Sequence, residues 1–265
     1  MSTWMRNLPS APGLPDTRDP GLLDARVLCL PYAGGTASAY RSWASVMPPN
    51  VQLRAVELPG HGLRLAEEPV RRSADVIRPL ADELSREHRL LPVPRTILFG
   101  HSMGALLAYE LCRALCERGT PPAALVVSGM CPADRLDRKA NGLLAERQHL
   151  LIDHIRQLGQ TPPEVLESPK MRELVLRPAR ADFELLAHIP APAATPLDVP
   201  VLALAGQHDF IQPSHFVADW KRHTKQWLGM RVLHGDHFFP WQSEDVGYLL
   251  NELARTIPVP AAAAR

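Results

Sequence analysis

The chain has no run of the ~18 consecutive apolar residues that a membrane span requires. Its first twenty residues, MSTWMRNLPSAPGLPDTRDP, lack the apolar h-region of a secretory signal. Cysteine is scarce. The four present, Cys29, Cys112, Cys116 and Cys131, have neither a CxxC pair nor a framework spacing. That excludes a disulfide scaffold and reads as buried thiols in a reducing compartment. An excess of charge of one sign is also missing: 29 Lys and Arg face 28 Asp and Glu, for a net charge of +1. A nucleic-acid or other polyanion binder is therefore not expected. No internal repeat is visible. What remains, in 265 residues of which 46% are hydrophobic, is the composition of a protein that buries a real core. The expectation is a soluble, cytoplasmic, globular enzyme.

Short apolar runs alternate with segments of helical length. Strands are expected at Val27–Leu30, Val51–Leu58, Thr96–Phe99, Leu125–Val127, Val201–Ala205 and Arg231–Leu233. Most of these runs are apolar throughout, as in strands covered on both faces. Helices are expected at Tyr40–Val46, Ser73–His88, Met103–Arg118, Ser214–Trp227 and Ser243–Thr256. This alternation predicts an α/β fold with a doubly wound, mostly parallel sheet. The stretch 132–190 breaks the rhythm: it has no strand pattern, but Leu144, Leu151, Ile155 and Leu158, then Val175, Ala179, Phe183 and Leu186, recur at helical spacing. It reads as a helical lid insertion. The expected organisation is thus a flexible tail at 1–20, a core of 21–131 and 191–265, and a lid at 132–190.

The sharpest local signal is Gly100-His101-Ser102-Met103-Gly104, a G-x-S-x-G pattern with about 0.04 chance occurrences at this composition. A strand runs into it and a helix-compatible segment leaves it, the setting of a nucleophile elbow. Ser102 is the candidate nucleophile. A serine hydroxyl needs a base oriented by an acid, and at such elbows the chain order is Ser, acid, His. Gly206-Gln207-His208-Asp209 follows one late strand and makes Asp209 the candidate acid, with Asp134 as rival. His234-Gly235-Asp236-His237 follows the next, and His237, on the loop, is preferred over His234. Acyl transfer also needs two N–H donors for the oxyanion. The amide after the nucleophile, Met103, is one candidate. The Leu30-Pro31-Tyr32-Ala33-Gly34-Gly35 loop supplies the second at Ala33. The other histidines show no metal-ligand spacing.

Taken in order, Leu30–Gly35, Glu57-Leu58-Pro59-Gly60-His61-Gly62-Leu63-Arg64, Gly100–Ala105, Gly206–Asp209 and Gly235–Phe239 resemble the motifs of the type II thioesterases. These are the discrete editing enzymes that accompany polyketide synthases and nonribosomal peptide synthetases. The resemblance spans roughly residues 26–256; one departure is His61, where arginine is more usual. It implies the α/β-hydrolase fold and a Ser102–Asp209–His237 triad. It also implies hydrolysis of acyl thioesters on the phosphopantetheine arm of acyl-carrier or peptidyl-carrier proteins. No cofactor and no metal are expected, no nucleic-acid or membrane partner, and a monomeric enzyme. A carboxylesterase or medium-chain acyl carrier thioesterase of the same fold is the alternative. Arg135, Arg138 and Lys139, clustered where the insertion begins, are candidates to steer an acidic carrier.

Overall fold

The computed structural model describes residues 4–8, 23–90, 95–242 and 245–256. Six strands follow the expected apolar runs: β2 (Ala25–Leu30), β3 (Val51–Val56), β4 (Arg95–His101), β5 (Ala124–Ser128), β6 (Leu197–Gly206) and β7 (Thr224–Leu233). All six pair in parallel with their neighbours. A seventh, β1 (Met5–Asn7), joins antiparallel to β3, and the sheet order is β1-β3-β2-β4-β5-β6-β7. This is the α/β-hydrolase architecture.

Both faces of the sheet are covered, which is why the strands lack polar alternation. Leu28, Leu30, Leu98, Leu125 and Val127 point into one core with helices α1 (Ser73–Leu90) and α2 (Met103–Glu117). Their neighbours Val27, Cys29, Ile97, Phe99 and Val126 point the other way, onto Tyr40, Trp43 and the last helix. Between β5 and β6 the chain forms four helices and no strand: α3 (Arg138–Glu146), α4 (Gln148–Leu158), α5 (Pro163–Glu167) and α6 (Pro169–His188). Leu151, Ile155, Leu176, Phe183 and Leu186 carry their apolar stripes onto the first core. The Arg138 guanidinium donates to the Ile189 carbonyl at 2.9 Å, joining the two ends of this insertion.

Three expectations need correction. The tail expected at 1–20 is not loose at Met5–Asn7, which pairs with Val56, Ala55 and Arg54; residues 9–22 lie outside the described ones. Three residues carry no periodicity, so only the open edge of β3 defines that strand. The helix expected at Ser214–Trp227 is a short α7 (Ser214–Val217) and a 3-10 stretch to His223, after which β7 begins. Trp227 lies opposite Val201, because the unpaired edge of β6 outweighs local helical preference. The helix expected at Tyr40–Val46 is a 3-10 run, Ala37–Ser45. The final helix, α8, is Asp245–Thr256; Ser243 and Glu244 lie outside the described residues.

Candidate active site

The elbow sits at the carboxyl end of the central strand β4, where the chain reverses into α2. Among the described residues Ser102 is the sole non-glycine with positive φ, at +54°, the strained geometry that projects a nucleophile from a strand–helix turn. The flanking glycines are obligatory: a Cβ at Gly100 would lie 2.0 Å from the Gly104 carbonyl oxygen, and one at Gly104 2.1 Å from that of Leu30. The Ser102 amide donates to the Ser128 carbonyl at 2.8 Å, tying the turn to the next strand.

Ser102, His237 and Asp209, far apart in sequence, form one hydrogen-bonded chain. His237 Nε2 lies 3.1 Å from Ser102 Oγ, and His237 Nδ1 lies 2.8 Å from Asp209 Oδ2. The second carboxylate oxygen of Asp209 accepts the amides of Ile211 and Gln212 at 3.0 and 2.9 Å, which fixes the first toward the imidazole. Two backbone bonds bring these loops together: Gln207 N–H to the Leu233 carbonyl and His208 N–H to that of Gly235. The rival acid Asp134 instead faces Arg222 and His223. Asp236 is exposed and caps its own loop by accepting the Phe238 amide at 2.7 Å. His234 is exposed and packs edge-on against His208.

His101 is fully buried, its ring 5.0 Å from that of His237 and its Nδ1 3.0 Å from Ser128 Oγ. Burial, with the neighbouring His237 adding to it, pushes its pKa well below the ordinary histidine value. An enclosed ring there packs against His237 and favours its own neutral form.

Ser102, His237 and Ala33 line one cavity of about 370 Å³, roofed by Leu144 and Phe183 of the insertion. Met103 opens α2, so its amide lies among the first of a helix, which have no intrahelical acceptor, at the positive end of the dipole. Ala33 occupies a tight turn closed by the Gly35 N–H on the Tyr32 carbonyl at 2.8 Å. A second chamber of about 290 Å³ shares Ala33, Phe183 and Phe238 with the first and reaches His61.

Two groups of this region lie outside what pattern reading singled out. His154, on α4, faces the first cavity edge-on to Phe183; burial and His237 lower its pKa. Asp182, on α6, is fully buried and bonded to His61 and Gly34. Its one sequence signal is a carboxylate inside an apolar helical stripe. The basic cluster is largely engaged: Arg135 pairs with Asp219 at 2.8 Å and Arg138 with the Ile189 carbonyl, leaving Lys139 exposed. Among the described residues no group of three or more His, Cys, Asp or Glu is placed to hold a metal ion. No described helix is long and apolar enough to cross a membrane.

The Thioesterase domain family matches residues 25–258. The chain is 32% identical over 221 residues to gramicidin S biosynthesis protein GrsT of Aneurinibacillus migulanus, covering 83% of this chain and 84% of that one. Among solved structures it is similar to RedJ, the thioesterase of the prodiginine pathway in Streptomyces coelicolor. That likeness has a TM-score of 0.78 and 35% identity, covering 89% of this chain and 91% of that one. It is also similar to BorB, the type II thioesterase of the borrelidin cluster, at TM-score 0.77 and 27% identity, covering 96% of this chain and 98% of that one. The chain therefore belongs to the thioesterase domain family and groups there with the type II thioesterases of polyketide and nonribosomal peptide pathways.

Proposed function

We propose that this thioesterase removes acyl groups from the phosphopantetheine arm of acyl-carrier or peptidyl-carrier proteins, as a discrete editing enzyme of a polyketide or nonribosomal peptide pathway. The observation that carries the reading is the Ser102–His237–Asp209 chain, with spacings of 3.1 and 2.8 Å, open to a lined cavity beside Ala33. Family membership and the relatives named above support the substrate class.

His237 Nε2 takes the Ser102 hydroxyl proton while Oγ attacks the thioester carbonyl. Asp209 holds the imidazole in the tautomer that leaves Nε2 free and stabilises the imidazolium that forms. The carbonyl oxygen, now an oxyanion, is held by the amides of Met103 and Ala33. Collapse expels the pantetheine sulfur, which recovers a proton from His237. Water then gives its proton to His237, attacks the acyl-serine ester and releases the carboxylic acid with Ser102 restored. A thiol leaves more readily than an amine, so the acid assistance required of His237 is modest.

The helices of 132–190 act as a lid whose apolar side chains, Leu144 and Phe183 among them, receive the acyl chain. One copy supplies every residue named, which suits a monomer, and four free thiols suit the cytoplasm. The test is a panel of acyl-loaded carrier proteins followed by intact-protein mass spectrometry, beside simple aryl esters. Release from carriers at kcat/KM well above that for the esters is expected. The reverse preference would make the protein a carboxylesterase.

A further inference from the structure

We propose that Asp182, fixed by His61, is a positioning residue of the oxyanion site, its carboxylate setting the Tyr32–Gly35 turn that presents the Ala33 amide to the acyl carbonyl. The inference rests on Ser102 and Ala33 acting as described above.

Asp182 stands on α6 with no solvent exposure. A single oxygen, Oδ2, accepts the Gly34 N–H at 2.7 Å and faces His61 Nε2 at 2.9 Å. Gly34 has φ +75° in a turn closed from Gly35 N–H to the Tyr32 carbonyl, the third position of a type II turn. Type I and type II turns differ by a flip of the central peptide, here Ala33–Gly34. In the flipped form the Ala33 carbonyl, not the Gly34 N–H, would confront the Asp182 carboxylate. The buried carboxylate therefore selects one orientation of the Ala33–Gly34 peptide and pins the turn one residue after the Ala33 amide, which fixes where that N–H stands.

His61 keeps that charge tolerable. Its Nδ1 lies 3.0 Å from the Pro59 carbonyl and its Nε2 faces Asp182, so both ring nitrogens meet oxygen acceptors. Only the imidazolium donates to both. The charged groups around it are Glu57 and Arg64 from the loop after β3, and Asp182 and Arg177 from α6. Glu57 accepts the Ala37 amide, Arg64 binds the Glu57 carbonyl and Glu67, and Arg177 reaches the Leu65 carbonyl and Glu68. Burial disfavours the His61 cation, but Asp182, Pro59 and Glu57 outweigh it and raise the pKa above the ordinary value. A raised histidine pKa gives stabilisation that is complete below its unfolded value and lost as pH rises through the folded one. The ion pair that holds Asp182 in place thus weakens on the alkaline side.

The experiment follows kcat and KM for an acyl-N-acetylcysteamine thioester, and the rate of Ser102 labelling by a fluorophosphonate, across pH. Wild type, His61→Arg, His61→Gln and Asp182→Asn are compared, with folding checked by circular dichroism. Wild-type kcat should fall at alkaline pH. His61→Arg, whose charge persists across the whole working pH range, should abolish that fall. His61→Gln and Asp182→Asn should lower kcat and labelling about tenfold at neutral pH with KM within about twofold, less than the ~10²–10³ of losing an oxyanion donor outright, and the gap between His61→Gln and wild type should close as wild type falls on the alkaline side. Losses confined to KM, or folded variants with wild-type kcat and pH profile, would overturn the inference. Failure of Ser102 to label in the wild type would instead overturn the nucleophile assignment and this inference with it. Neither readout uses a carrier protein, so the carrier reading stands or falls separately.

Discussion

Ser102 combines a strained φ of +54° with a bond to His237, and Asp209 spends one carboxylate oxygen on two loop amides and the other on the imidazole. Such groups act as a unit, so Ser102→Ala should lower kcat by ~10⁶-fold in a folded protein. Asp209→Asn should cost ~10³–10⁴-fold, because the amide holds the wrong tautomer. Asp134→Asn should be close to silent, since Asp134 faces Arg222 and His223 rather than His237. Steady-state hydrolysis of one small thioester checks all three; a damaging Asp134→Asn beside a silent Asp209→Asn would move the acid to the earlier strand. The residues proposed for these roles were readable as an ordered set of motifs, with Asp209 preferred over Asp134 from its place at a strand exit. The loop pairing brings Asp209 to His237.

Helix α2 concentrates the constraints of its element. Gly104 in its first turn touches the Leu30 carbonyl, and a Cβ there would have to displace backbone of β2. Gly104→Ala should cost about 3 kcal/mol or more in urea unfolding, the upper range for overpacking. Farther along, Glu110 accepts the Ser73 hydroxyl at 2.8 Å, and burial pushes its carboxyl up to about 7 despite that bond. Because the folded pKa lies above the usual value of 4.5, the native state holds the proton more tightly. The contribution of Glu110 to stability is then greatest below about pH 4.5 and declines as pH rises toward 7, by on the order of 3 kcal/mol. Glu110→Gln should remove most of that decline, matching wild type near pH 4.5 and exceeding it by about 2 kcal/mol at pH 8. An equal effect at both pH values would assign the difference to packing.

Across the whole molecule, the insertion is held at its two ends by Arg138 on the Ile189 carbonyl and along α6 by Arg177 on the Leu65 and Glu67 carbonyls. Arg138 is a structural pin, so Arg138→Ala should lower kcat/KM several-fold for carrier-bound and small thioesters alike. Arg135, paired with Asp219, lines the cavity and is exposed, as is Lys139 four residues on. Their joint replacement by Ala should lower kcat/KM for a carrier-bound substrate several-fold at low salt. It should leave the small thioester unaffected and vanish as salt rises, as rim charges do. Stopped-flow association at two ionic strengths distinguishes the two cases. Losses shared by both substrates in the double variant would place these residues in the lid framework rather than on a docking face.

By itself the sequence determined the alternation of strand and helix, the nucleophile elbow and the order of serine, acid and histidine. Each is a local pattern: apolar runs buried on both faces, two glycines at a crowded turn, polar residues at strand exits. Only the tertiary structure decided the rest. Met5–Asn7 is a strand because β3 offers it an edge, and Thr224–Trp227 is a strand because β6 does. Asp182 meets His61 across 121 positions and Gly34 across 148. Nothing local marks such a pairing, since a buried carboxylate is stable only where the fold brings a cation and an amide to it.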